Sequence, residues 1–111
     1  MGLNWKEINS IDDLHDIWEN SLEKPAVFFK HSTRCSISSM ALRAFERNWV
    51  SDDTQLFFID LIANRDVSNL LSELSKVEHQ SPQIIVTNNR TVVFTDSHGT
   101  IDAEKVQNLI K

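Results

Sequence analysis

The stretch of sequence that decides the fold covers residues 26–41 and reads AVFFKHSTRCSISSMA. Its first four residues are wholly apolar, which predicts a strand that is buried on both faces. Beyond Cys35, apolar side chains recur every three or four residues, which predicts a helix with one face against a core. The side chains of that face are Ile37, Met40, Ala41, Ala44 and Phe45. Cys35 therefore lies in the first turn of this helix.

Cys35 is the only cysteine of the chain, and its predicted place at a helix N-terminus suits a reactive thiol. The unpaired N–H groups and the positive end of the helix dipole favour an anion there, and a thiolate is an anion. Lys30, His31 and Arg34 lie close by in sequence and add positive charge. A lone cysteine in a small domain is, on the other hand, commonly a buried and inert side chain. On these residues alone, both interpretations stay open.

The composition is that of one ordinary globular domain, with 111 residues, 41% hydrophobic and 24% charged. A net charge of −5 argues against a nucleic-acid partner, which requires a basic surface. No apolar run reaches the roughly 20 residues of a membrane-spanning helix, and the first residues lack the apolar segment of a signal peptide. We therefore expect a cytoplasmic protein. The single cysteine excludes a disulfide or an all-cysteine metal site within one chain.

The N-terminal third predicts a short edge strand around Trp5 and Ile8, followed by a helix that ends before Pro25. Ser10 is the predicted N-cap of this helix, with acidic residues in the first turn. The core-facing side chains are Ile11, Leu14, Ile17, Trp18 and Leu22.

The second helix, which carries Cys35, should end near Asn48, and residues 51–53 break the pattern. Residues 56–61 predict another buried strand. Asp66 is the predicted cap of a third helix, which stops before Pro82. Its inward-facing side chains are Val67, Leu70, Leu71, Leu74 and Val77.

The C-terminal third predicts a hairpin and a last helix. Residues 83–87 and 91–95 are short β-branched runs, and the asparagines between them tolerate the positive φ of a tight turn. The last helix begins near Asp102, and its inward-facing side chains are Val106, Leu109 and Ile110.

From residue 26 onward the element order is β-α-β-α-β-β-α, in a single domain that covers residues 1–111. Right-handed crossovers imply parallel core strands, and the hairpin adds an antiparallel edge. The sequence thus predicts an α/β fold with an additional N-terminal helix and a mixed sheet of about four strands. This order, with a cysteine at a helix start and a proline before a core strand, resembles the thioredoxin-like fold. In that fold the proline is cis and lies beside the active-site sulfur, which predicts a cis bond between Ser81 and Pro82.

Residues 30–38 read KHSTRCSIS and are similar to KHSTxCPIS, the signature of the monothiol bacilliredoxins, the YtxJ-like proteins of the bacillithiol system. Residues 79–83 resemble the Ser-Pro-Gln segment of that family, and residues 97–101 resemble its Ser-His-x-x-Ile turn. The resemblance covers essentially the whole chain. It departs at Ser36, where the family usually has proline, which would remove a donor and stiffen the helix start.

The resemblance implies a thiol–disulfide oxidoreductase that reduces mixed disulfides between protein cysteines and bacillithiol, a small thiol of certain Gram-positive bacteria. The Cys35 thiolate attacks the bacillithiol sulfur, the client thiolate leaves, and bacillithiol stays on Cys35. No resolving cysteine follows, because the position three residues later is Ser38. Bacillithiol is then a co-substrate, no cofactor is bound, and free bacillithiol or a reductase regenerates the protein.

The site residues that the resemblance implies lie on three segments around the thiol. They are Arg34, Ser36, Ile37, Ser38, Ser81, Pro82 and His98. Backbone N–H groups at the helix start stabilise the thiolate, and the Ser38 hydroxyl is a candidate for a further hydrogen bond to it. Ser81 offers backbone bonds to the bound thiol, as in strand addition. His98 is a candidate to approach the sulfur, and the basic residues at positions 30, 31 and 34 are candidates to meet the carboxylates of bacillithiol.

Three other protein classes are alternatives to this one. A phosphatase or arsenate reductase with a Cys-x5-Arg cradle is excluded, because position 41 is Ala41. A glutaredoxin-like carrier of an iron–sulfur cluster would ligate it through Cys35 and an external thiol, but its Cys-Gly-Phe-Ser motif is absent. A binding module with a vestigial cysteine stays open, and Ser36 is the feature that favours it. The histidines show no metal-ligand spacing; they are His15, His31, His79 and His98.

Overall fold

The computed structural model describes residues 3–50 and 53–110. Over these ranges, five strands form one mixed sheet with α-helices on both faces. The strands are β1 (Lys6–Glu7), β2 (Ala26–His31), β3 (Gln55–Asp60), β4 (Gln83–Asn88) and β5 (Thr91–Ser97). The α-helices are α1 (Ile11–Asn20), α2 (Ser36–Asn48), α3 (Arg65–Ser75) and α4 (Ala103–Ile110), and a short 3-10 helix covers His98–Thr100. None of the helices in the described ranges is both long and apolar enough to cross a membrane.

The strand order is β1-β3-β2-β4-β5, with β3 parallel to both β1 and β2, while β4 is antiparallel to both β2 and β5. The predicted α/β fold, with its parallel core and antiparallel hairpin, is confirmed. The sheet has five strands where about four were expected. The additional strand is β1, whose two residues pair with Phe57 and Phe58 of β3. The short edge strand predicted around Trp5 and Ile8 is this β1, which the predicted count of about four strands left out.

Two hydrophobic cores lie on opposite faces of the sheet, because successive side chains of a strand point to opposite sides. Val27 and Phe29 of β2 pack on the side of α2 and α4, whereas Ala26 and Phe28 pack on the side of α1 and α3. Each core contains a pair of stacked rings. On the side of α1 and α3, the ring centroids of Phe28 and Phe57 are 5.0 Å apart. On the side of α2 and α4, the ring centroids of Phe45 and Trp49 are 5.1 Å apart.

The helix ends agree with the sequence in α1 and differ in α3. Ser10 caps α1 by accepting the N–H of Asp13 at 3.1 Å. In α3 the N-cap is Asn64 rather than the predicted Asp66, whose carboxylate accepts the N–H of the next residue within the first turn. The prediction was wrong because an acidic residue suits the cap and the first turn of a helix equally well.

The predicted hairpin turn is confirmed, with Asn89 and Arg90 both at positive φ. In α4, Val106 is fully buried, but Leu109 is half exposed and does not face the core as predicted. The break predicted at residues 51–53 lies mostly outside the described ranges.

Candidate active site

Cys35 is the N-cap residue of α2, one position before the predicted first turn, with extended backbone angles (φ −116°, ψ 119°). Its carbonyl oxygen accepts the first helical hydrogen bond, from the Ser39 N–H at 3.1 Å, and its own N–H donates to the Ser32 carbonyl at 3.2 Å. The thiol is partly exposed. The first N–H groups of a helix have no partner within it, so those of Ser36, Ile37 and Ser38 lie next to the sulfur-bearing residue. The predicted placement of the thiol at a helix N-terminus is therefore confirmed.

A buried hydrogen-bond network lies beneath this turn. Ser38 is fully buried, and its Oγ accepts the Ser32 N–H at 3.0 Å and lies 2.7 Å from Nδ1 of His31. Burial lowers the pKa of His31, against weaker raising effects of Asp60 and Glu46, so the imidazole is neutral at pH 7. The network fixes the backbone of the turn that precedes Cys35. A hydrogen bond from the Ser38 hydroxyl to the sulfur stays a prediction.

The substitution Ser38→Ala is expected to lower the free energy of unfolding by about 1–2 kcal/mol, because it leaves the buried Ser32 N–H without its acceptor. Urea denaturation followed by circular dichroism measures this loss. Ser39→Ala, which removes the neighbouring half-buried hydroxyl, is the matched control and should change the value by less than about 0.5 kcal/mol. Equal effects of the two substitutions would show that the network does not hold the turn.

Lys30 and His31 do not lie where the sequence placed them. The apolar run ends at Phe29, but β2 continues to His31, so these two side chains point to opposite faces and both are buried. Their burial contradicts their predicted contact with the carboxylates of bacillithiol, and neutral His31 does not add the positive charge predicted near the thiol. Arg34 is exposed and is the basic residue of this segment that solvent reaches.

The ammonium of Lys30 lies under α3 with three hydrogen-bond acceptors around it. It donates to the Ser68 carbonyl at 3.0 Å, to Ser72 Oγ at 2.8 Å and to Nδ1 of His79 at 3.2 Å. Burial lowers the pKa of Lys30 to about 8. The pKa of His79 is lowered too, by burial first and then by the positive charges of Lys30 and Arg65. His79 is therefore neutral at pH 7 and accepts the Lys30 hydrogen bond.

Ser81 and Pro82 precede β4, and the peptide bond between them is cis, as the sequence predicts. Pro82 is buried, and its carbonyl accepts the N–H of His98 at 3.0 Å. The His98 side chain is exposed, and its Nε2 lies 3.1 Å from Oε1 of Gln80. The structure thus brings His98 to the segment that contains Ser81. The Ser81 hydroxyl is buried and has no hydrogen-bond partner within the described part of the chain.

An apolar groove of about 440 Å³ runs along the N-terminal half of α2. Its lining residues are Ile37, Met40, Ala41, Ala44, His98, Gly99 and Ile101. Ile37 and Met40 are 53% and 65% exposed, although the sequence predicted that both face the core. The buried face of α2 is centred on Ser38 and Leu42 instead. Periodicity did not separate the two adjacent faces, because a serine holds a core position and a methionine a surface one.

In residues 3–50 and 53–110, no group of three or more histidine, cysteine, aspartate or glutamate side chains is placed to hold a metal ion.

Solved structures define the class of protein. One described as a candidate oxidoreductase with a thioredoxin fold is 25% identical and matches with a TM-score of 0.82, over 96% of this chain and 94% of that one. The thioredoxin of Schistosoma mansoni is 18% identical with a TM-score of 0.73, over 97% and 96% of the two chains. That of Malassezia sympodialis is 18% identical with a TM-score of 0.71, over 99% and 90%. The fold and the partly exposed thiol at the start of α2 define a thioredoxin-fold oxidoreductase.

The sequence assigns the family within that class. The family described as "Monothiol bacilliredoxin BrxC" matches residues 6–106. The chain belongs to the monothiol bacilliredoxin family, and its single cysteine agrees with the monothiol type.

Proposed function

We propose that this protein removes bacillithiol from bacillithiolated client proteins by thiol–disulfide exchange at Cys35. The Cys35 thiolate attacks the bacillithiol sulfur of the mixed disulfide, a new disulfide forms between Cys35 and bacillithiol, and the client leaves as a thiolate that takes up a proton from water. The observation that carries the proposal is the partly exposed thiol at the N-terminus of α2 in a chain of the bacilliredoxin family. Free bacillithiol or a reductase then restores the Cys35 thiol.

The residues around Cys35 have separate roles in this proposal. The N–H groups at the start of α2 stabilise the thiolate as attacker and as leaving group. Ser36 adds one such N–H, which the proline that is usual in the family lacks. Arg34 is exposed and meets a carboxylate of bacillithiol, and the backbone of Ser81 binds the extended chain next to the mixed disulfide.

The groove beside α2 gives the client its own contact in this proposal. Ile37 and Met40 expose large apolar side chains within two turns of Cys35. An apolar side chain next to the modified cysteine of the client would remove this surface from water, which is favourable. His98 borders the groove and also bonds the segment before β4, so it lies between the two surfaces that the client would touch.

Incubation of the reduced protein with a bacillithiolated client is expected to transfer the modification stoichiometrically and then stop, because no second thiol in the chain displaces bacillithiol. Mass spectrometry under non-reducing conditions should find the adduct on Cys35 and one free client thiol per adduct. Added bacillithiol should restart the reaction, and Cys35→Ser should abolish it.

An untouched client in the presence of the reduced protein would favour the binding module, and a coloured protein with bound iron would favour the iron–sulfur carrier. The cytoplasmic location stays a prediction from the sequence.

A further inference from the structure

We propose that Lys30 is a positioning residue: its ammonium holds the connection between α3 and β4, and so keeps the Ser81 backbone in the conformation that receives the client. This rests on the proposed function, because Ser81 is the residue to which that function assigns the backbone contact with the mixed disulfide. Lys30 itself is fully buried and touches no solvent, so it acts through the residues that it contacts.

The contacts of Lys30 match the donors of an ammonium one for one. An ammonium carries three N–H donors, and three acceptors surround the Lys30 nitrogen: the Ser68 carbonyl, Ser72 Oγ and Nδ1 of His79. Two of these acceptors belong to α3 and the third to the connection that follows it. The lysine therefore joins β2, α3 and the connection at one buried atom.

A second buried side chain, from the residue of β4 that pairs with Lys30, holds the same connection. Gln83 of β4 lies directly opposite Lys30 of β2 and is 2% exposed. Its amide nitrogen donates to the Glu78 carbonyl at 2.9 Å, and its amide oxygen lies 3.4 Å from the Gln80 nitrogen. Two neighbouring side chains of the sheet thus hold three consecutive residues that lead directly to Ser81.

The charge on Lys30 is needed for the complete set of contacts. A neutral amine has two N–H donors and a lone pair, so it cannot donate to all three acceptors at once. The acceptors themselves are uncharged, and an apolar side chain would fill the same space without the cost of burying a charge. We therefore attribute the presence of a lysine at position 30 to its contacts with α3 and with the connection to β4, and not to a gain in stability.

The contact between Lys30 and His79 exists only over a range of pH. Below the lowered pKa of His79, its ring carries a proton on Nδ1 and repels the ammonium; above about pH 8, Lys30 loses a donor. The charges that act on His79 are Lys30 from β2 and Arg65 from α3, and both disfavour its protonation. The contact is thus intact around pH 7, is lost when His79 is protonated, and is weakened when Lys30 loses its third donor.

The first arm of the test observes the contact without any client. Nitrogen-15 NMR of the wild type at about pH 7 should find His79 neutral with its proton on Nε2, and raising the pH to about 9 should shift the amide signals of residues 78–81. Lys30→Met should shift the same signals at pH 7 and remove their pH dependence. Val67→Ala, which removes buried carbons from the same helix, is the control and should leave that pH dependence in place.

The second arm measures binding without chemistry, in the Cys35→Ser background. A bacillithiolated peptide should bind about tenfold more weakly to Lys30→Met than to the parent at pH 7, and this gap should narrow by about pH 9. The same peptide is used with both proteins, so any titration of the peptide itself cancels when their affinities are compared. If the affinities are equal at pH 7, or if the gap persists unchanged to pH 9, Lys30 is a structural residue only. Failure of the wild type to accept bacillithiol at all would instead overturn the proposed function, while the NMR arm would still decide the contact.

Discussion

Replacing Ser38 with cysteine is expected to convert a protein that stops with bacillithiol on Cys35 into one that releases it. Positions three apart at a helix start bring their Cα atoms to about 5 Å, within the range of about 4.4–6.8 Å that a disulfide spans. The thiolate introduced at position 38 would attack the Cys35 sulfur of the adduct, form a disulfide between the two residues, and expel bacillithiol as its thiolate. His31, whose Nδ1 lies 2.7 Å from Ser38 Oγ, would take the thiol proton.

Mass spectrometry and thiol counting measure this outcome after a single addition of bacillithiolated client. The wild type should retain the added mass, whereas Ser38→Cys should end two hydrogens lighter with bacillithiol free in solution. Ala44→Cys on the same helix is the control, because nine residues of helix separate it from Cys35 by about 13 Å, which is beyond the reach of a disulfide, so the adduct should stay intact. A persistent adduct on Ser38→Cys would show that the buried position does not reach the sulfur.

The wild type is expected to gain stability relative to Lys30→Met as the pH rises, by up to about 3 kcal/mol between pH 7 and pH 10.5. Burial lowers the pKa of Lys30 from 10.5 to about 8, so between these values the unfolded chain binds more protons than the folded one. Stability therefore rises with pH in this interval and is lost as the pH falls through about 8. At pH 7 the methionine variant avoids the cost of burying a charge but leaves three acceptors without their donor, so the change of the difference with pH is the test.

Urea denaturation of the wild type and of Lys30→Met across this pH range measures the difference between their free energies of unfolding. Lys24→Met removes an exposed ammonium and serves as the control, with a change of less than about 0.5 kcal/mol that does not vary with pH. A difference between wild type and Lys30→Met that stays constant from pH 7 to 10.5 would mean that Lys30 titrates normally. Taken with the binding experiment, the expected result is a variant that lacks the pH-dependent gain in stability and binds the client less well.

Most of the fold followed from hydrophobic periodicity and from the residues that interrupt it. The strands around residues 26–29 and 56–61 were clear because their apolar runs are interrupted only by Asp60, and Ser10 and Pro25 bounded the first helix. The positive φ of Asn89 is a local property that the residue type reveals. Such features are decided within a few residues and therefore can be predicted from sequence.

The candidate site was predicted in part, and the failures share a physical cause. Burial of Lys30 depends on α3, which lies some forty residues away in the chain, and lysine is rarely buried. One signal was present: Ser68 and Ser72 are four residues apart on α3, on the side that β2 reaches. The exposure of Met40 likewise depended on which of two adjacent faces of α2 met the sheet. Tertiary packing decides both, and no local pattern reports it.

The two-residue strand β1 has a consequence for the behaviour of the protein in concentrated solution. β3 contains the run Leu56–Ile59, which is entirely apolar, and β1 covers its outer edge only at Phe57 and Phe58. A hydrogen bond of 2.8 Å from Trp5 Nε1 to Glu46 fastens the chain just before this strand. A chain shortened beyond Glu7 would present the bare edge of an apolar strand to other molecules, which is the usual template for aggregation by strand pairing. Removal of these two residues is therefore expected to make the protein more prone to aggregation by strand pairing.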